Sequence, residues 1–104
     1  MSRAGAALAL ALLSLIGSAA AAGAATTERI GRSAQGRPIG LVRAGDPEGE
    51  RTVLVVGCVH GDECAGRAIA ERLAATTAAD APGVRLLVVR NLNPDGFARG
   101  TRQN

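Results

Sequence analysis

Two short apolar segments on either side of an amphipathic stretch constrain the fold of this chain more than any other feature. Thr52–Val56 (TVLVV) and Val84–Val89 (VRLLVV) are continuous and rich in β-branched residues, which is typical of strands buried on both faces. The segment between them, Glu63–Thr77, has apolar residues at a spacing of four and predicts a helix. A strand, a helix and a strand joined by short loops form a βαβ unit, so the two strands should be parallel.

The predicted helix has a start signal, a stop signal and one apolar face. Asp62 is the expected N-cap, and the Pro-Gly pair in Asp80–Gly83 should end the helix. The face expected to pack on the sheet consists of Ala65, Ala68, Ile69 and Leu73. Charged residues at Arg67, Glu71 and Arg72 should mark the opposite, solvated side.

The segments on either side of this unit are shorter and richer in turns. In Thr26–Ala44, the turn Gln35–Pro38 separates two short strands, the second being Ile39–Arg43, and Asp46–Gly49 is a further turn. The last strand runs into a turn-rich loop, Asn91–Gly96. Because a parallel sheet needs helices on both faces and only one helix is predicted, we expect an incomplete α/β domain.

Residues 1–24 predict an export signal. Arg3 provides a positive start, Ala6–Ile16 is an apolar core, and the last of the Ala-x-Ala cleavage options ends at Ala24. The alternative is an uncleaved membrane anchor. Cleavage would leave the truncated domain, residues 25–104, in an exported protein without stable membrane association: secreted, periplasmic or cell-wall associated.

The charge pattern argues against a nucleic-acid partner. The formal net charge is +3, and the basic residues are all arginines spread along the chain. Phe97 is the only aromatic residue, so no aromatic side chains are interleaved with these arginines for stacking on bases. The pattern indicates a solvated surface of mixed charge.

Cys58 and Cys64 are the two cysteines of the chain. Export to an oxidising compartment permits a disulfide bond between them, which would brace the intervening loop. The alternative is a pair of small buried thiols, since the sequence does not give the separation of the two Cα atoms.

His60 and Glu63 lie between these cysteines, on the loop that follows the first apolar strand. Ligands bind at the carboxyl ends of strands in α/β folds, and imidazole and carboxylate are standard zinc ligands. A catalytic zinc uses three protein ligands, and His60 is the only histidine, so a ligand from elsewhere is needed. The alternative is a carboxylate that stabilises a helix N-terminus beside a lone polar histidine.

Several motifs in one order resemble the zinc carboxypeptidase family, the carboxypeptidase A-like metallopeptidases. They are GCVHGDECAG after the first strand, NLNPDGFARGTRQN after the second, and IGRS with GRPI upstream. The resemblance covers residues 28–104 and looks closest to the bacterial murein peptide amidases. It implies the N-terminal part of a mixed, largely parallel sheet flanked by helices.

The resemblance also implies roles for individual residues. His60 and Glu63 match the first two Zn²⁺ ligands, and Arg102 matches the arginine that polarises the scissile carbonyl and stabilises the oxyanion. Asn93–Gly96 matches a turn below the site. In the family, the carboxylate-binding Asn-Arg pair, the third ligand and the general base all come later in the chain. The alternative for Arg102 is a surface arginine without a catalytic role. The alternative for Asn93–Gly96 is an ordinary Asx-Pro turn.

The resemblance predicts zinc-dependent hydrolysis of peptide bonds, by a carboxypeptidase or a peptidoglycan-peptide amidase acting on peptide substrates. This chain would carry only part of the active site, so we expect the 104 residues alone to be catalytically silent. One alternative is an inactive exported fragment or binding module. Another is a zinc acyl-amino-acid deacylase, which shares the His-x-x-Glu geometry.

Overall fold

The computed structural model describes residues 25–104, so the predicted export signal and its cleavage site lie outside the described residues. In chain order the elements are β1 (Thr27–Arg32), β2 (Pro38–Gly45), β3 (Arg51–Val56), α1 (Ala65–Leu73), β4 (Val84–Val89) and α2 (Pro94–Arg99). Neither helix is long and apolar enough to cross a membrane.

The described strands form one mixed sheet in the order β1-β2-β4-β3. β3 and β4 pair in parallel, from Arg51 opposite Val84 to Val56 opposite Val89, which confirms the βαβ prediction. β1 pairs with β2, and β2 with β4, in antiparallel orientation. The mixed sheet is therefore confirmed, and in residues 25–104 its parallel pairing is confined to β3 and β4.

The core lies between α1 and one face of the sheet, and it differs from the predicted helix face. The buried cluster consists of Val42, Ala70, Ala74, Leu86 and Val88. The predicted packing of Ile69 is wrong, because its side chain is 62% exposed. Ala65 and Ala68 are exposed as well, whereas Leu73 packs against the cluster as predicted. A Cβ placed on Gly57 would lie 3.1 Å from the Cβ of Ala70, so the helix approaches the end of β3 closely.

Both predicted ends of the helix are also wrong. The amide of Glu63 donates to the carbonyl of His60 at 3.1 Å, and this turn delays the helix until Ala65. Cys64 is therefore the N-cap, in place of Asp62. At the other end, the helix stops at Leu73 and does not reach Thr77. The backbone amide and hydroxyl of Thr77 donate to Asp80 at 2.9 and 2.7 Å and close a separate turn.

Two further predictions about the strands and loops are corrected. β3 was expected to be buried on both faces, but Leu54 is 62% exposed and Val53 45%. β3 is an edge strand of the described sheet, whereas β4 lies between two neighbours and has no exposed residue. The loop Asn91–Gly96 leads into α2, because Asn93 caps the helix and Pro94 occupies its first turn.

Candidate metal and oxyanion site

The loops that follow β3 and β4 run side by side. The Gly57 amide donates to the carbonyl of Val89 at 2.7 Å, the Leu92 amide to Gly57 at 3.0 Å, and the Asn93 amide to Cys58 at 3.1 Å. These bonds extend the contact of the parallel strands beyond their ends. The candidate metal-binding loop is therefore held directly against the segment that leads to Arg102.

A disulfide bond closes the loop after β3. Cys58 and Cys64 are joined, with their Cα atoms 4.4 Å apart, so the structure has the bridge, one of the two alternatives that the sequence left open. His60 and Glu63 both lie inside the closed ring. Cys58 also has a φ of 50°, a left-handed conformation that is uncommon for a residue other than glycine. The backbone that carries the two candidate ligands is thus fixed covalently at both ends.

Arg102 lies next to this loop. Its Nη1 donates to Oε1 of Glu63 at 2.7 Å, in an ion pair whose side chains are 52% and 62% exposed. His60 and Arg102 both line a cavity of about 280 Å³, together with Asn93 and the apolar Val59 and Leu92. The structure therefore brings the three sequence-predicted residues to one place, although Arg102 is 39 positions from Glu63.

Gly61 is the point of closest approach between the two loops. A Cβ on this residue would overlap the backbone of Gly96 and Phe97, and the carbonyl oxygen of Thr101. The Gly61 amide donates to the carbonyl of Arg102 at 3.2 Å. A residue without a side chain is needed here so that the segment carrying Arg102 can lie against the His60–Glu63 loop.

The donor chemistry of the loop fits zinc in part. An imidazole nitrogen and a carboxylate oxygen are both ordinary zinc ligands. The hydrogen bond from Arg102 uses Oε1 of Glu63, and no described residue donates to Oε2. However, residues 25–104 contain no group of three or more His, Cys, Asp and Glu residues that could hold a metal ion. The described residues therefore contain two candidate donors, His60 and Glu63, where a catalytic zinc uses three.

A buried carboxylate below the site was not anticipated from the sequence. The side chain of Asp95 is 1% exposed and accepts hydrogen bonds from the Ser33 hydroxyl at 2.7 Å, the Gln35 amide at 3.0 Å and Arg37 Nη1 at 2.8 Å. Burial raises the pKa of Asp95, but the hydrogen bonds from Ser33, Arg37 and Gln35 and the charge of Arg37 outweigh it, so the pKa lies below its usual range. The turn between β1 and β2 is thereby tied to the start of α2.

Comparisons with known proteins agree with the fold. The sequence matches the zinc carboxypeptidase family over residues 18–104. The chain belongs to this family. The carboxypeptidase SOL1 of Arabidopsis thaliana is 34% identical over 89 residues, which cover 72% of this chain and 18% of that protein.

A solved structure supports the same fold. The metallo-carboxypeptidase from Burkholderia cenocepacia matches with a TM-score of 0.63 and 26% sequence identity. The match covers 79% of this chain and 25% of that one. The chain therefore spans a quarter or less of the length of these two relatives.

Proposed function

We propose that this chain contributes to zinc-dependent hydrolysis of a peptide bond, with His60 and Glu63 as zinc ligands and Arg102 as the oxyanion-stabilising group. The observation that carries the proposal is the position of the Arg102 guanidinium, 2.7 Å from the Glu63 carboxylate and on the same cavity as His60. Membership of the zinc carboxypeptidase family supports the choice of metal and of reaction.

The chemistry divides between the metal and the arginine. Zinc, when bound, supplies a Lewis acid that polarises a carbonyl and lowers the pKa of water. Arg102 contributes a permanent positive charge beside the same carbonyl. Its hydrogen bond to Glu63 involves Nη1, and the remaining guanidinium N–H groups are available to an oxyanion that develops in the cavity.

A second candidate follows from the number of donors. Residues 25–104 contain the two proposed zinc ligands and no group of three or more such residues that could hold a metal ion. Two ligands bind zinc more weakly than three. The 104 residues alone would then be an inactive chain that binds zinc weakly, and hydrolysis would require the third ligand and the general base from additional sequence. The two candidate functions share the same proposed zinc ligands and differ only in hydrolytic activity.

The family indicates a broad class of substrates, and our proposal names two narrower classes within it. Zinc carboxypeptidases act on peptides. We propose that the reaction takes place outside the cytoplasm, as the predicted export signal indicates. We further propose that it releases C-terminal amino acids from peptides or cleaves peptidoglycan peptides.

The test is a hydrolysis assay with three substrates on the protein as the cell produces it. The substrates are a peptide with a free C-terminus, a γ-D-glutamyl-diaminopimelate peptide and an N-acyl amino acid. We expect hydrolysis of one of the first two, loss after chelation and recovery with Zn²⁺. Hydrolysis of the acyl amino acid alone would favour a deacylase, and no hydrolysis with intact zinc binding would favour the inactive chain.

A further inference from the structure

Asn93 makes more connections between the two loops of the site than its position in a turn requires. Its side-chain oxygen accepts from the Gly96 amide at 2.9 Å, and its side-chain nitrogen donates to the carbonyl of Arg102 at 3.1 Å. Its backbone amide donates to the carbonyl of Cys58 at 3.1 Å. Asn93 therefore contacts the disulfide-closed loop, the start of α2 and the residue that carries the guanidinium.

The orientation of the Asn93 amide follows from its partners. The Gly96 N–H is a donor, so the group that faces it must be the carboxamide oxygen. The carboxamide nitrogen then faces the carbonyl of Arg102, which can only accept. Each half of the side chain meets the partner that it needs, and the orientation is fixed on both sides.

The carbonyl of Arg102 is consequently held from two directions. The Gly61 amide donates to it at 3.2 Å from the candidate metal loop, and Asn93 donates at 3.1 Å from the start of α2. Together with the bond from the Thr101 amide to the Gly96 carbonyl at 2.9 Å, these two bonds fix the Arg102 backbone next to the candidate metal loop. The guanidinium itself is half exposed and has one described partner, Glu63, so its position depends strongly on its backbone.

We propose that Asn93 is a positioning residue, which places Arg102 for oxyanion stabilisation by fixing its carbonyl. The inference rests on the proposed function of Arg102. Asn93 acts through Arg102 and does not contact the reacting atoms. A guanidinium that is displaced by about 1 Å loses much of its effect on a transition state, so the hydrogen bond should influence catalysis more than folding.

Two substitutions separate this role from helix capping. Asn93→Ser keeps an oxygen that can cap α2 but is too short to reach Arg102. Asn93→Asp keeps the cap and the shape but replaces the donor with an oxygen that faces the Arg102 carbonyl. Asp80→Ala is the matched control, because it removes a side-chain hydrogen bond from a surface turn outside the site.

The first measurement is amide hydrogen exchange, which requires no activity. We expect the Gly61 amide to exchange at least about tenfold faster in both Asn93 variants, while the Gly96 amide keeps its protection. Asp80→Ala should change neither amide. Unchanged exchange at Gly61 in both Asn93 variants would overturn the proposal, whether or not the protein is a hydrolase.

The second measurement is a double-mutant cycle on kcat in the active protein. Asn93→Ser should lower kcat by roughly 10- to 100-fold with little change in KM or in zinc content. In the Arg102→Ala background the same substitution should have almost no further effect, because the group that it positions is gone. Full additivity of the two substitutions would contradict positioning. Failure of the parent protein to hydrolyse peptides would count against the proposed function instead.

Discussion

Two carboxylate–arginine pairs of almost equal length differ in the burial of the carboxylate and in the number of hydrogen bonds that it accepts. Asp95 and Arg37 are 2.8 Å apart, and Glu63 and Arg102 are 2.7 Å apart. Asp95 is 1% exposed and accepts two further hydrogen bonds, whereas Glu63 is 62% exposed and has Arg102 as its one described side-chain partner.

The difference separates a structural contact from one that can exchange its partner. A buried carboxylate with all of its hydrogen bonds satisfied holds the surrounding chain in place, and its removal leaves donors without acceptors. An exposed ion pair contributes about 0–1 kcal/mol, because water screens it and the two side chains lose mobility. Glu63 can therefore accept a metal ion at little cost to the fold, and Asp95 cannot.

The largest expected effect comes from removing the buried carboxylate. Asp95→Ala should lower the midpoint of thermal unfolding by more than about 10 °C, because Ser33, Gln35 and Arg37 all lose their acceptor. Circular dichroism of the variant measures the shift.

The matched control is Asp80→Ala, since Asp80 is an exposed carboxylate whose pKa is likewise lowered by hydrogen bonds, in its case from the backbone and side chain of Thr77. The midpoint of thermal unfolding of Asp80→Ala should change by only about 3 °C. Equal shifts for the two variants would remove the distinction between buried and exposed carboxylates.

The next effect concerns the disulfide. It holds the loop that carries the exposed Glu63, whereas burial and hydrogen bonds hold Asp95. Reduction of the Cys58–Cys64 bond opens a ring with a sequence separation of 6, and should lower the free energy of unfolding by about 2 kcal/mol. Urea unfolding with and without a phosphine reductant, with reduction verified by mass, measures the change. Coincident curves for the oxidised and reduced chains would show that the loop is held without the bond.

Acid should weaken the buried pair between Asp95 and Arg37. The pKa of Asp95 is lower in the folded chain, so its contribution to stability is complete above the unfolded value of about 3.9 and is lost as the pH falls through the folded value. Asp95→Asn should therefore flatten the decline in stability below about pH 4. Urea midpoints of the parent and the variant between pH 2 and 5 test this, and parallel curves would contradict it.

The smallest expected effect on stability comes from the exposed pair. Glu63→Gln should change the free energy of unfolding by no more than about 1 kcal/mol, since Glu63 and Arg102 are both more than half exposed. Denaturant titration of the variant checks this expectation. A loss as large as that of Asp95→Ala would mean that Glu63 has a structural role.

What the sequence predicts well is local. The two apolar strands and a turn between β1 and β2 depend on neighbouring residues, and the structure confirms them. The turn was predicted at Gln35–Pro38, but Pro38 already belongs to β2. The family resemblance predicted that Arg102 belongs to the same site as His60 and Glu63. The spacing of these residues in the sequence does not predict this.

What the sequence does not predict depends on distant partners. Ser33 and Asp95 are separated by 62 positions, and nothing in either segment specifies the other. The exposure of β3 follows from the order of strands in the sheet. The apolar periodicity predicted the packing of Leu73 correctly but also placed the exposed Ile69 on the core face, where the small Ala70 allows the helix to approach the sheet closely.

The most direct test of the account is zinc binding by the protein and three variants of one loop. Competition with a chromophoric chelator should show binding by the parent protein and at least about tenfold weaker binding after His60→Ala or Glu63→Gln. Asp62→Asn, an exposed carboxylate between the two candidate ligands, should bind as the parent does. Equal zinc affinity in His60→Ala, Glu63→Gln and the parent would contradict the assignment of the site.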